Sequence, residues 1–234
     1  MNVSAGRSVC RSGGNSALSL TKLWSPHRRP ENPTHVELLM PIQLNDFELT
    51  WHMDEIGMHG MCAHMEYRHL DDLLRDDHSR QTRLVWFALT AFLSHAAMMS
   101  KYLDPIGKGE VKSVRKDMLC QLLGVAAESD VISRDARDNV EHFDERVDGW
   151  VGTDNQSILE SVLPDRAAYQ YLRVAEKRVR RVLLLDEMVF ISEKRDQSKF
   201  ELDLASLHAE VKRIGDAADT WISTKSPYHF IPPR

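Results

Sequence analysis

Apolar residues recur at helical intervals through the middle of the chain, and the first such run covers residues 50–75. Within it, gaps of three and four residues place the large apolar side chains on one helical face. That face consists of Trp51, Met58, Met61, Cys62, Met65 and Leu73, with His69 in the same series. The pattern predicts a long first helix that packs this face, including its methionines, into a core.

Three more helices are predicted between residues 81 and 151. The second, over 81–103, is apolar around more than half of its circumference, so we expect it to lie centrally or at a subunit interface. The third covers about 111–123 and the fourth about 131–151. Residues that stop helices follow each of them: Asp104-Pro105, Gly124 and Gly152. Four helices joined by short loops predict an up-and-down bundle.

After Pro164 the pattern changes to short runs of β-branched and apolar residues. The runs cover 169–174, 179–185 and 188–192. Together with a polar turn at 194–197 they favour a small hairpin, and an amphipathic helix is predicted over 205–221. The predicted fold class is therefore mainly α: a four-helix up-and-down bundle with a small C-terminal appendage, a β-hairpin plus a helix.

The first 39 residues differ in composition from the rest. Residues 1–35 contain six Ser, the pair Gly13-Gly14 and three Pro, with one short apolar patch. Such a segment buries too little surface to offset its ordering entropy. Its Arg and Ser content also resembles an organellar transit peptide, and Met40 is an alternative start. The predicted organisation is a disordered basic segment at 1–39, the helical bundle at 40–163 and the appendage at 164–234.

Charge is divided unevenly between these parts. Lys and Arg number 30 against 35 Asp and Glu, a net charge of −5. Residues 1–35 carry +4, from five basic residues and one acidic residue, so the remaining 199 residues carry −9. A negative body excludes a generally basic coat for long nucleic acids, although a small cleft needs only a few well-placed cations.

Cysteine usage and hydropathy indicate a cytoplasmic protein. The three cysteines, Cys10, Cys62 and Cys120, lie far apart without a Cys-x-x-Cys spacing, which argues against a disulfide framework or a zinc knuckle. The longest apolar stretch, Leu84 to Met99, is shorter than the ~20 residues that a membrane span needs. We therefore expect a reducing compartment and no membrane partner.

Motifs for common cofactors are missing from the sequence. There is no phosphate loop, no dinucleotide-binding glycine motif, no His-Glu-x-x-His and no Gly-x-Ser-x-Gly. The first helix is rich in histidine, but His52, His59, His64 and His69 lie five or more residues apart. Metal binding from one helix needs a spacing of three or four. We interpret these imidazoles as structural and predict no cofactor and no metal.

The predicted fourth helix contains the strongest candidate for chemistry, formed by Arg137, Asp138 and His142. Asp138 and His142 are one turn apart, a spacing at which a carboxylate orients an imidazole and fixes its tautomer. Arg137 adds a permanent bidentate cation for a phosphate. A cation and a titratable imidazole suffice to cut RNA without metal, because the imidazole exchanges protons with the ribose 2′-hydroxyl and the leaving oxygen.

One such helix supplies a single histidine, whereas an acid and a base require two. A symmetric pair of subunits that brings both fourth helices together would supply the second one. The chemistry therefore predicts a homodimer.

The string Arg137-Asp138-x-x-x-His142 resembles the Arg-polar-x(3 to 5)-His motif of the HEPN superfamily, with Asp138 in the position where Asn is commonest. Members are all-α four-helix bundles, commonly dimeric, with the motif on a late helix. The resemblance implies a metal-independent endoribonuclease, or an RNA-binding relative, of bacterial toxin–antitoxin or phage-defence systems. RNA and an antitoxin-like protein are the implied partners. Arg137 would bind the scissile phosphate, His142 would act as general acid and base, and Asp138 would orient His142.

Two other functions are compatible with the sequence. Residues 119–135 resemble the helix-turn-helix of bacterial repressors, although the step from Gly124 to Ser133 is about two residues too long and the reader helix carries as many acids as bases. The other alternative is a non-catalytic structural or protein-interaction bundle, in which the charged fourth helix is a salt-bridged exposed surface.

Overall fold

Five helices and four strands are the elements whose limits lie within the described residues. The computed structural model describes residues 43–75, 82–133, 138, 145, 148, 159–173, 178–194, 196 and 198–226, which all belong to one compact unit. The helices are α1 (Asp46–Arg75), α2 (Thr82–Leu103), α3 (Glu110–Leu123), α4 (Arg166–Tyr171) and α5 (Leu204–Lys225). The strands are β1 (Leu159–Leu163), β2 (Val179–Leu184), β3 (Val189–Glu193) and β4 (Lys199–Asp203).

Helix α1 carries two heptad-spaced seams on opposite sides. The inner seam packs into the core and consists of Leu49, Met53, Ile56, Gly60, Ala63, Tyr67, Leu70 and Leu74. The outer seam faces away from the core and consists of Phe47, Trp51, Asp54, Met58, Met61, Met65, Arg68 and Asp72. Both alternate steps of four and three residues, and they are two residues out of phase, which is about 200° around a helix.

The predicted first helix is correct in extent, but its predicted core face is wrong. Trp51 and Met65 are 63% and 60% exposed, and Met58 and Met61 are also exposed. The core instead receives a seam in which Gly60 and Ala63 permit close approach of a neighbouring helix. The predicted core face was chosen by the large side chains of the outer seam. The inner seam, which includes the small residues Gly60 and Ala63, was therefore overlooked.

Helix α5 completes the core that α1 and α2 begin. Asp203 caps its start by accepting a hydrogen bond from the Ser206 amide at 2.9 Å. Its buried face includes Leu207, Val211 and Ile214, which join α1 and α2 in one hydrophobic cluster. The predicted C-terminal helix is thus confirmed as a helix, and it contributes to the main core.

Helices α2 and α3 begin and end within one residue of their predicted limits. Gly124 caps α3 in the left-handed conformation (φ 60°), and its amide donates back toward the last turn. Phe92, Leu89 and Met99 of α2 are buried, which confirms its central position. Within the described residues α2 is also the one helix long and apolar enough to cross a membrane by length and composition, and 56% of that window is buried in the fold.

The sheet has the order β1-β2-β3-β4 and is mixed. β1 runs parallel to β2, whereas β2–β3 and β3–β4 are antiparallel. The face that includes Leu183, Phe190 and Leu202 belongs to the main helical core. The opposite face forms a small second cluster around Val182 and Ile191, against which Tyr169 of α4 packs.

The mainly α fold class predicted from the sequence is wrong, because the protein has an α+β layout. A four-stranded sheet stands where a small hairpin was expected. Two of its strands, 179–184 and 189–193, coincide with predicted runs, but 159–163 and 199–203 were missed. Residues 169–171, predicted as β, lie in α4, where Asp165 accepts a hydrogen bond from the Ala168 amide at 2.6 Å. The missed cue was this N-cap.

An ion cluster is buried where three strands adjoin. Glu193 on β3 accepts from Arg180 at 2.9 Å and from Lys199 at 2.8 Å, and the lysine ammonium also bonds the Val179 carbonyl. Arg180 and Glu193 are only 6% and 4% exposed. The two cations offset the cost of removing the Glu193 carboxylate from water.

Several predicted segments lie outside the described residues. They include all of 1–39 and most of the fourth helix at 131–151. In that helix the described positions Asp138, Glu145 and Asp148 are helical, whereas Val131 and Ile132 lie in a turn.

Candidate functional site

The Arg-x4-His motif is described at one of its three positions. Asp138 is helical and half-buried, whereas Arg137 and His142 lie outside the described residues. The segment that leads into the motif is fixed against the core: Val131 is buried, and the Ser129 hydroxyl donates to Glu210 of α5 at 3.2 Å. A cavity of about 10 Å³ between Val131 and α2 is large enough for about one water molecule. The chain therefore enters the motif from residues that pack against α2 and α5.

The helix-turn-helix alternative can be compared with the same region. Successive turns follow α3 through residues 126–132, held by the Ser129 amide on the Ala126 carbonyl and the Ile132 amide on the Ser129 carbonyl. A repressor motif would begin its recognition helix within this stretch. The turns do not match that geometry.

A lysine-lined cleft opens at the start of α3. It encloses about 550 Å³ and is lined by Pro105, Gly107, Lys108, Gly109, Glu110, Lys112, Ser113 and Lys116. Lys112 and Lys116 are one turn apart on the same side of α3, and Lys108, in the loop before the helix, joins them in the lining. We call this feature the lysine cleft.

The charges of the lysine cleft are only partly compensated. Lys116 forms an ion pair with Asp104 at 2.7 Å, and this hydrogen bond raises the pKa of Lys116. Lys112 donates to the Ile106 carbonyl at 2.7 Å, which orients the ammonium, and Glu110 in the first turn of α3 brings one carboxylate into the same lining. Among the described residues, no side chain caps the N-terminus of α3. The cleft thus combines cations with the positive end of a helix dipole, an arrangement that favours phosphate.

Histidines of α1 pair with histidines of neighbouring helices. His59 Nδ1 lies 3.0 Å from His95 Nδ1 of α2, and His64 Nδ1 lies 2.8 Å from His208 Nε2 of α5. Tyr67 stacks on His208 with ring centroids 3.9 Å apart. At such distances one nitrogen donates and the other accepts, so one hydrogen bond joins the two rings of each pair.

Burial favours the neutral state of His59 and His208. It lowers the pKa of His59, and the neighbouring His95 lowers it further while Glu55 opposes the shift. The pKa of His208 is lowered by burial and by His64. Within the described ranges, no three His, Cys, Asp or Glu side chains are placed to hold a metal ion. These pairs therefore act as polar links between helices.

Sequence reasoning missed both the lysine cleft and the histidine partners. Three lysines at four-residue spacing beside Gly107 and Gly109 were visible in the sequence and could have indicated a basic helix start. The partners His95 and His208 lie 36 and 144 positions from their mates, and no local pattern reveals such pairs.

Comparisons with known proteins give no further assignment. No family model, no curated protein and no solved structure matches this chain. Its function is therefore argued from its own residues.

Proposed function

We propose that the protein binds single-stranded RNA through the lysine cleft and cuts it without a metal ion. Arg137 would bind the scissile phosphate, His142 would act as general acid and base, and Asp138 would orient His142. The observation that carries the proposal is the cluster of Lys108, Lys112 and Lys116 on a concave surface of an otherwise acidic body.

The lysine cleft suits a phosphate chain because of its spacing. Lys112 and Lys116 lie four residues apart on α3, which separates them by a rise of about 6 Å, and Lys108 precedes the helix, so the three side chains contact separate phosphates of a flexible strand. Lys108 and Lys112 are exposed, which lets them reach a polyanion without disturbing the core. A net charge of −9 over residues 36–234 disfavours long duplexes, so recognition is confined to a short single strand.

Cleavage adds the chemistry of the Arg-x4-His motif. The reaction begins when an imidazole removes the proton of a ribose 2′-hydroxyl, whose oxygen attacks the adjacent phosphorus. A second imidazole then protonates the departing 5′-oxygen, and the products are a cyclic phosphate and a 5′-hydroxyl. The guanidinium of Arg137 offsets the charge that develops on the phosphorane. Two copies of His142 supply the two imidazoles.

Binding is tested by fluorescence anisotropy with a labelled single-stranded RNA at several salt concentrations. Lys108→Gln combined with Lys112→Gln should weaken binding at least about tenfold at low salt and reduce the slope of log affinity against log salt by about 1.4. Lys225→Gln, which neutralises an exposed lysine on α5, is the matched control and should change neither quantity. Equal loss in the control and in the double variant would contradict the assignment to this cleft.

Cleavage is tested separately, with purified protein and single-stranded RNA in EDTA. Wild-type protein should release products that end in a cyclic phosphate, and His142→Ala and Arg137→Ala should each abolish their release. Cleavage that survives His142→Ala would end the proposed mechanism. Binding through the cleft without any cleavage would identify an RNA-binding protein instead.

A second function, a non-catalytic protein-interaction module, is favoured by the exposed outer seam of α1. An inactive wild-type protein with no affinity for RNA would select it.

A further inference from the structure

The outer seam of α1 has the composition of a packing surface but lies at the exterior. Phe47, Trp51 and Met65 are 45%, 63% and 60% exposed. Phe47 and Trp51 meet edge to face with ring centroids 6.3 Å apart, so they form one apolar surface. An aromatic pair and three methionines in line on one helix exceed the scattered apolar side chains that are ordinary on a surface.

The spacing of the outer seam indicates what kind of surface it packs against. Its steps of four and three residues run unbroken from Phe47 to Asp72, over more than three heptads. A period of 3.5 residues is the repeat by which two helices pack side chains into each other along their length. A seam of this length therefore fits another long helix.

Asp54 and Arg68, two of the three charged residues of the seam, determine the direction of the partner, and the third, Asp72, lies at the end of the seam. Asp54 and Arg68 lie on either side of the three methionines, and neither forms a hydrogen bond or ion pair with any residue that the structure describes. A parallel copy of α1 would place Asp54 against Asp54 and Arg68 against Arg68. An antiparallel copy brings Asp54 of one seam toward Arg68 of the other and separates the two copies of Asp72.

We propose that α1 pairs antiparallel with α1 of a second copy of this chain through the outer seam. The two-fold axis passes between Met58 and Met61. Knob-and-hole layers then place Met58 against Met61, Asp54 against Met65 and Trp51 against Arg68 of the second copy. Arg68 of each copy faces the helical turn of the other copy that contains Trp51 and Asp54. The guanidinium stacks on the Trp51 indole and pairs with the Asp54 carboxylate. The seam carries this inference, which does not rest on RNA binding or cleavage.

The test measures the oligomeric state of the full-length protein by sedimentation velocity over a concentration series up to about 100 µM. Wild-type protein should form dimers. Met61→Asp, which buries two carboxylates at the axis, should weaken the dimer at least about 100-fold. Phe87→Asp is the matched control, because Phe87 is 64% exposed on α2, outside the seam, and this variant should dimerise as wild type does.

A charge exchange tests the register independently of the methionines. Asp54→Arg and Arg68→Asp should each weaken the dimer about tenfold or more, because each sets like charges opposite one another. The double variant restores opposite charges and should recover most of the affinity. Since both residues are exposed in the monomer, all variants should retain the melting temperature of monomeric protein.

Several results would overturn the proposal. These are a wild-type monomer at the highest concentration, a dimer indifferent to Met61→Asp, or a double variant no better than the single ones. A monomeric wild type contradicts the dimer whatever Met61→Asp does to its stability, because Met61 also lines a cavity of about 100 Å³ against Gly215 and Asp216 of α5.

Discussion

Gly60 and Gly215 touch through their backbones where α1 crosses α5. A Cβ placed on Gly60 would lie 2.7 Å from the Gly215 Cα, a distance that real Cβ atoms do not adopt. Gly60→Ala should therefore force the helices apart and lower the free energy of unfolding by about 1–3 kcal/mol. Urea denaturation followed by circular dichroism measures the change.

Gly109 is the matched control for this substitution. A Cβ there meets no atom within 4 Å, and its φ of 162° is open to any residue. Gly109→Ala should leave the free energy of unfolding within about 0.5 kcal/mol of wild type. A similar loss in both variants would show that helix crossing is not the cause.

The histidine pairs make stability depend on pH. Burial, together with His95, lowers the pKa of His59 below its ordinary value of 6.5, so the unfolded chain binds this proton more tightly than the folded one. The free energy of unfolding should accordingly fall as the pH drops below about 6.5. His208, lowered by burial and by His64, acts in the same direction.

Urea denaturation between about pH 5.5 and 8 measures this dependence while carboxylates stay ionised. His59→Asn should flatten the profile, although Glu55 beside it favours the charged imidazole and limits the effect. His69→Asn, on the exposed side of the same helix, is the control. A profile that keeps its full slope in His59→Asn would refute the role of this pair.

The buried ion cluster of the sheet depends on one carboxylate. Glu193→Gln would remove the carboxylate that pairs with buried Arg180 at 2.9 Å and should lower the free energy of unfolding by about 3–5 kcal/mol. Glu187→Gln removes an exposed partner of Arg166, at 2.9 Å, and should cost less than about 1 kcal/mol. Thermal and urea unfolding of both variants provide the comparison, and equal effects would argue against the cluster.

Asp138 offers a test of positioning within the proposed RNA site. Asp138→Ala should lower the cleavage rate by roughly 10- to 100-fold with RNA affinity unchanged, because His142 would lose its orienting partner. Asp138→Asn keeps an acceptor and should retain most of the rate. The pH profile of cleavage separates this role from a structural one: loss of orientation shifts the profile, whereas loss of folded protein only lowers its height.

The limits of α2 and α3 could be predicted because local residues determine them. Asp104-Pro105 cannot continue a helix, and Gly124 adopts the left-handed conformation that closes α3. The outward face of α1 could not be predicted in this way. Both of its seams have helical spacing, and the sequence separates them only by the charged residues Asp54, Arg68 and Asp72 of the outer seam.

The sheet was underestimated because its pairing is not local. β1 pairs in parallel with β2, and α4 lies between them in the sequence. Because no adjacent hairpin indicates this pairing, the five residues of β1 alone did not predict a strand. β4 does alternate, with Phe200 and Leu202 facing the core, and that pattern was available in the sequence. For the candidate site, the motif was visible in the sequence, whereas the histidine pairs required the tertiary contacts.

The position of α5 has a consequence for biosynthesis. Its inner residues cover α1 and α2, yet it is the last helix of the described chain to leave the ribosome. Until then, nascent protein displays the apolar inner seam of α1 to its surroundings and is open to chaperones and to self-association. Premature termination before Leu204 would therefore yield aggregating fragments, and the native state is reached only after translation has passed the final helix.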